Sequence, residues 1–171
     1  MSAKKYTNTL EGLNNYLLDK EIDHFKAHEL CKVHSLGVMN LPPQRLWRNC
    51  LQTLTFLEFL RLKFGPIRVI SGYRSPENNR KVEGAKHSQH MEFRAIDSAP
   101  IKGSLSEYKK YVRKFWKEEL ILATKEVDFF WHHHFSCKVY PHEMGIGAYT
   151  WGVHVDFGYK KREWLGSGAK W

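Results

Sequence analysis

The stretch "GAYTWGVHVDFGY", residues 147–159, reads as two short strands joined by a tight turn, and it decides what kind of sheet the chain can build. Successive side chains of a strand point to opposite faces, so Val153 and Val155 share one face while His154 and Asp156 share the other. An apolar face suits a core. The opposite face then carries an imidazole and a carboxylate side by side, and polar groups placed there need partners or a task.

Upstream, "IRVISG" (67–72) is rich in β-branched residues and predicts a core strand ending at Gly72, and "FRAIDSA" (93–99) predicts a second strand. Helices come earlier. Asn8 followed by Glu11 has the spacing of a capping box for a short helix over about residues 9–19. After "NLPPQ", the residues Leu46, Trp47, Cys50, Leu51, Leu54, Leu57 and Leu60 keep the three-and-four spacing of a buried stripe, with Pro43 in the first turn and Gly65-Pro66 as the stop. Ser104 and Glu107 predict the start of an amphipathic helix running to about Leu120. The last third, including "VDFFWHHHFSCKVY", predicts short strands with glycine turns. The pattern is α+β: one domain, with N-terminal helices packed on a small antiparallel sheet.

The chain has 171 residues, enough to bury a core without disulfide or metal staples, and 42% of them are hydrophobic. Three cysteines, Cys31, Cys50 and Cys137, form no C-x-x-C pair, which excludes a thiolate zinc knuckle and a disulfide framework. A net charge of +9 favours polyanionic surroundings such as nucleic acid, anionic lipid or the acidic polymers of a bacterial wall, without choosing among them. No nucleic-acid recognition motif accompanies the charge. The N-terminus has early lysines but no apolar run after them, and no stretch reaches transmembrane length, so the expectation is a soluble protein made in the cytoplasm without a signal peptide.

"SQHMEFRAID" (88–97) places a histidine and an aspartate seven positions apart, just before and within the second predicted strand. Catalytic zinc takes three protein ligands of imidazole and carboxylate type and leaves a fourth position for solvent. His90, Asp97 and His154 make such a set if strand 93–98 lies beside strand 152–157. Asp156 is then the candidate to accept a proton from activated water, or alternatively the acceptor that orients His154.

"SGYRSPENNRKVEGAKHSQHMEFRAIDSAP" followed by "GIGAYTWGVHVDFG" resembles the zinc D-Ala-D-Ala carboxypeptidases and peptidoglycan L,D-endopeptidases of peptidase family M15, among which are many phage endolysins. The likeness rests on Ser71-Gly72-Tyr73-Arg74-Ser75, Asn79, Ser88-Gln89-His90, Ala95, Asp97 and His154-Val155-Asp156, and runs from about Phe25 to Trp164. It implies a Hedgehog/DD-peptidase-like fold over 25–171 preceded by a helical extension over 1–24. It also implies Zn2+ as cofactor on His90, Asp97 and His154, with Arg74 and Ser88 at substrate-contacting positions. Arg74 would hold a peptide carboxylate or steady oxyanion charge; its alternative is to pin the loop "YRSPENN". Ser88 could instead cap a turn.

Two positions depart from the family pattern. Its glycine three residues after the first histidine is Phe93 here, so the backbone there is expected not to take a conformation reserved for glycine. Its usual upstream base is replaced by Trp151 or Gly152, which leaves the base to Asp156. His142, in "YPHEMG", is expected near substrate, while His132 and His134 in "WHHHFS" are expected on a groove wall or plain surface. "YKKREW" reads as a solvated tail that could grip an anionic wall.

The expectation is therefore a monomeric zinc metallopeptidase that cuts peptidoglycan stem peptides, with no specific nucleic-acid partner and no membrane insertion. It would reach the wall as a phage lysin released with help from a holin or from a virion, or else be a bacterial enzyme exported by another route or acting inside the cell on imported wall fragments. The rival is a non-catalytic zinc module that recognises the wall or a protein partner, as the signalling domain of Hedgehog proteins works by binding.

Overall fold

The structure, a computed structural model, describes residues 6–117, 143–158 and 160–171. It is a single mixed α/β domain. Helix α1 (Leu10–Leu18) and the short α2 (Ala27–Cys31) lead into a two-stranded ribbon of β1 (Lys32–Val33) and β2 (Val38–Met39). A 3-10 segment over Gln44–Cys50 precedes α3 (Leu51–Phe64), which is followed by β3 (Ile67–Ser71), α4 (Pro76–Lys81), β4 (Ala95–Pro100) and α5 (Leu105–Lys117). Then come β5 (Gly145–Tyr149), β6 (Gly152–Asp156) and β7 (Arg162–Leu165). The larger sheet has the order β3-β4-β6-β5-β7.

That sheet is mixed. Its first four strands pair antiparallel, but β7 joins β5 in parallel, so the wholly antiparallel sheet expected from the sequence is corrected at one edge. The segment "YKKREW" is likewise no free tail, because Arg162–Leu165 is β7 itself, with Lys160 and Lys161 exposed before it.

The apolar stripe after "NLPPQ" is buried at Trp47, Cys50, Leu54, Leu57 and Leu60. It begins as a 3-10 turn because Pro43 lacks a capping side chain and tighter i→i+3 bonds satisfy the first orphan groups. α1 is capped by Thr9, whose hydroxyl accepts from the Gly12 N–H at 3.0 Å, rather than by Asn8. α5 starts where expected, with Ser104 Oγ accepting from the Glu107 N–H. Leu13 and Leu17 of α1 belong to the same core as α3, α5 and the sheet. At its centre Phe56 of α3 meets Phe115 of α5 and Phe157 after β6.

α3 buries polar groups as well, and Thr53 and Glu58 have partners outside the helix. Thr53 donates to the Arg94 carbonyl at 2.5 Å, and the buried Glu58 accepts from the His24 backbone N–H and pairs with its ring. The first of these fixes the entry to β4. There the chain turns through Phe93, which has φ of 56°. The expectation that a phenylalanine would keep this backbone out of the left-handed region is thus wrong, and the ring explains why. Phe93 is fully buried, edge-on to Tyr73 with centroids 5.9 Å apart. Burying that ring contributes more than the left-handed backbone costs, about 1–2 kcal/mol.

Replacing Phe93 by glycine should therefore destabilise the protein even though glycine suits the backbone. The lost ring costs about 3–5 kcal/mol and the relieved strain returns about 1–2, for a net loss of about 1–4 kcal/mol. Urea unfolding of the two proteins measures it, and an unchanged midpoint would contradict the account.

Candidate metal centre

β4 and β6 pair so that Asp97 stands directly opposite His154, and Ala95 opposite Asp156. Opposed residues on adjacent strands have their side chains on the same face, so the carboxylate and the imidazole are held within reach by backbone register alone. His90 arrives from the loop between α4 and β4. The Arg74 N–H donates to the His90 carbonyl at 3.2 Å, tying this loop to the segment after β3.

The ligand atoms converge. His90 Nε2 lies 3.2 Å from Asp97 Oδ2 and 3.2 Å from His154 Nδ1, which is 2.8 Å from Asp97 Oδ1. Donor atoms around a tetrahedral zinc at about 2.0–2.1 Å are themselves about 3.3 Å apart, so this spacing fits such an ion. All three residues are buried, and they are the one such group of ligands among the described residues.

The outer nitrogens settle the tautomers. His90 Nδ1 is 2.6 Å from the Gly72 carbonyl, which can only accept, so Nδ1 carries a proton and Nε2 turns its lone pair inward. His154 Nε2 is 3.0 Å from Asp156 Oδ2, so that nitrogen is the donor and Nδ1 faces the cluster. Two inward lone pairs 3.2 Å apart, beside a carboxylate, repel unless a metal ion lies between them or a proton on His154 Nδ1 bridges to Asp97. The residues present fit a divalent metal.

Asp156 is therefore on the far side of His154 from the cluster. It is fully buried; Oδ2 also accepts from Arg162 at 2.8 Å, and Oδ1 accepts from the Gly158 N–H at 3.0 Å. The shared strand face read from the sequence is real, but a residue two positions along meets the opposite ring nitrogen.

Arg162 and Trp164 were not singled out from the sequence, and β7 brings both to the site. β7 is not adjacent to β6, so these side chains must cross β5. The glycines of "GIGAY" make room. A Cβ on Gly145 would come within 2.4 Å of Asp156 Oδ2 and 2.9 Å of Arg162 Nε, and one on Gly147 within 2.4 Å of the Trp164 indole. Across this gap Trp164 reaches His154, with ring centroids 5.0 Å apart. The alternating glycines were the available signal.

A cavity of about 540 Å³ opens over the cluster, lined by His90, Asp97 and His154, by Arg74 and Ser88, and by Tyr149, Trp151 and Trp164. Arg74 and Ser88 are thus brought to the site. The Arg74 guanidinium contacts Ser88 Oγ at 3.5 Å, and its Nε is buried without a partner. Ser88 Oγ also receives the His90 N–H at 3.4 Å. His87 lines the same cavity, whereas His142, His132, His134 and Cys137 lie outside the described residues.

The charges of the cluster are strongly coupled. Burial raises the pKa of Asp97, but the charges of His90 and His154 and hydrogen bonds from both rings outweigh it and hold the carboxyl well below its usual range. Burial lowers that of His154, yet its bonds to Asp156 and Asp97 and their charges lift it to about 9. His90 is pushed down, mainly by burial, against the pull of Asp97. Burial also raises Asp156, and His154 and Arg162 together bring it below the carboxylate range.

Linkage gives the sign of the pH response. The raised value of His154 adds stability below the ordinary imidazole range that is lost as pH rises through about 9. The depressed carboxyls add stability above their usual range that is lost in acid. The depressed value of His90 adds stability above the ordinary imidazole range that is lost as pH falls, so metal-free protein should melt highest near about pH 6–7 and lose stability towards pH 9. Since a metal competes with the proton, zinc-loaded protein should instead gain stability over that rise. Thermal melts across pH, with and without zinc, test both slopes.

No curated protein matches the chain. A family model for Peptidase M15 matches residues 23–134, a span that contains His90 and Asp97 and ends before β6. The match covers more than half of the sequence, and its span includes two of the three converging ligands: the chain belongs to the Peptidase M15 family, a family of metallopeptidases.

Proposed function

We infer that the protein is a zinc peptidase that hydrolyses peptidoglycan stem peptides. One observation carries the reading: three buried ligand atoms with metal spacing, their outer nitrogens already tethered, lie on the floor of a cavity that also holds an arginine without a carboxylate partner among the described residues.

Zinc on His90, Asp97 and His154 would supply polarisation of a carbonyl and acidification of water. The chain's own residues do the rest. Gly72 and Asp156 fix the two imidazoles by accepting their outer N–H groups, and Arg162 keeps Asp156 ionised. Arg74, steadied by Ser88, presents a planar fork that can hold the carboxylate of a stem peptide through two parallel bonds. The net charge of +9 draws the protein to an anionic wall, where it would act as a monomeric lysin of phage type.

Asp156, read from the sequence as the base, has the position of a positioning residue. Its enclosure favours one alternative, a zinc module that binds wall or protein without cutting. Mass spectrometry of muropeptides incubated with the protein, with and without chelator, separates the two. The peptidase yields a defined cleavage that chelator abolishes and zinc restores, and a binding module leaves every muropeptide intact.

Asp156→Asn refines the result. A positioning role predicts about 10–100-fold weaker zinc affinity, with turnover largely restored at saturating zinc. If Asp156 were the base, zinc would bind normally and turnover would be lost.

A further inference from the structure

We propose that Tyr149 is a catalytic residue whose hydroxyl donates a hydrogen bond to the substrate carbonyl oxygen as that oxygen takes up negative charge. The inference rests on the peptidase reading above and adds a group which that reading does not use.

Tyr149 ends β5 on the same face as Gly145 and Gly147, the face on which His154 stands opposite Gly147. Its hydroxyl accepts from the Trp164 indole N–H at 3.0 Å, and that indole lies against the His154 ring. One small bridge of two aromatic residues thus places the phenol beside the metal ligands. Tyr149 also lines the cavity with Arg74, close enough for the phenol to influence the guanidinium.

The direction of the O–H follows from that bond. An indole nitrogen can only donate, so the phenol oxygen is the acceptor and its own proton must go elsewhere. Among the described residues no acceptor takes it.

The ring is clamped. Trp151 stacks on it with centroids 4.6 Å apart and planes 10° from parallel, and on another side the backbone of Gly166 lies so close that a Cβ there would come within 2.3 Å of the ring. A donor held this firmly loses little freedom when charge develops in front of it, which is the condition under which a hydrogen bond accelerates a reaction. During hydrolysis the oxygen of water bonds to the scissile carbon, and the π pair of the carbonyl moves onto its oxygen. Tyr149 bonds that oxygen without giving up its proton, and the pair returns when the C–N bond breaks and the amine leaves with a proton.

Tyr149→Phe keeps the clamped ring and removes only the hydroxyl. In zinc-loaded full-length protein acting on a stem peptide, kcat should fall by about 10²–10³-fold with KM little changed. Elemental analysis should find the same zinc content, and thermal melts the same midpoint. Retention of kcat would overturn the proposal.

Trp164→Phe is the second variant, because it leaves the phenol and removes the N–H that fixes it, together with part of the ring against His154, so its zinc content is measured alongside. A loss on the order of tenfold is expected, smaller than that of Tyr149→Phe, for a donor that is present but unfixed. A loss exceeding that of Tyr149→Phe would assign the effect to the indole and overturn the proposal.

If wild-type protein cuts no stem peptide, the peptidase reading fails, and binding decides the fate of Tyr149 separately. A phosphinate dipeptide carries the tetrahedral anionic oxygen in a stable form. Weakening of its binding by tenfold or more in Tyr149→Phe supports the donor, and equal affinity overturns it.

Discussion

Two imidazole nitrogens and a carboxylate, brought to 2.8–3.2 Å of one another in a buried place, make an arrangement that needs a metal ion, or a proton in its stead, to hold it together. Everything near it serves to keep it from relaxing. The β4–β6 register fixes Asp97 against His154, and the Gly72 carbonyl and Asp156 each occupy an outer ring nitrogen. Were either outer partner absent, the ring could turn its proton inward and the lone pair would be lost. Tethering the back of each ring costs the protein a buried acceptor and gives the front of the ring its single chemical meaning.

The same logic reaches outward through charge. Asp156 is a fully buried carboxylate, costly unless it is paired, and its oxygens are satisfied by His154, Arg162 and the Gly158 N–H. Arg162 comes from a strand that is not β6's neighbour, so its reach depends on β5 having no side chain at Gly145. The parallel strand at the sheet's edge, the bare glycines and the buried carboxylate are therefore one device. Each makes sense only with the others, and together they carry order from the chain's last residues to the ligand set.

Much of this was legible in the chain, and the limits have physical causes. Period-two alternation put His154 and Asp156 on one face, and strand pairing brought Asp97 beside them as expected. Alternation gives the face but not the side of the ring a neighbour meets, so Asp156 fell on the outer nitrogen. Phe93 misled because backbone preference is local, whereas the burial that outweighs it is tertiary. "YKKREW" looked like a tail because Lys160, Lys161 and Glu163 mask its two inward side chains, Arg162 and Trp164. Single strands of four residues at a sheet edge carry too little pattern to announce themselves.

The cavity's walls follow from how the cluster is sheltered. One side is the loop after α4, held by Asn79 Nδ2 on the Ala85 carbonyl and carrying Ser88 and His90. The other is aromatic, with Trp151 on Tyr149 and Trp164 between Tyr149 and His154. The rings shelter that side of the metal ligands, while Arg74, His87, Gln89 and Arg162 line the rest of the cavity and face an incoming peptide together with the phenol. The burial of His90, Asp97 and His154 strengthens each contact made beside them, and it is the same condition that makes the uncompensated cluster unstable. The pocket's capacity to act on a carbonyl and its demand for a cation thus have one origin: the enclosure of charge by β5, β6 and β7.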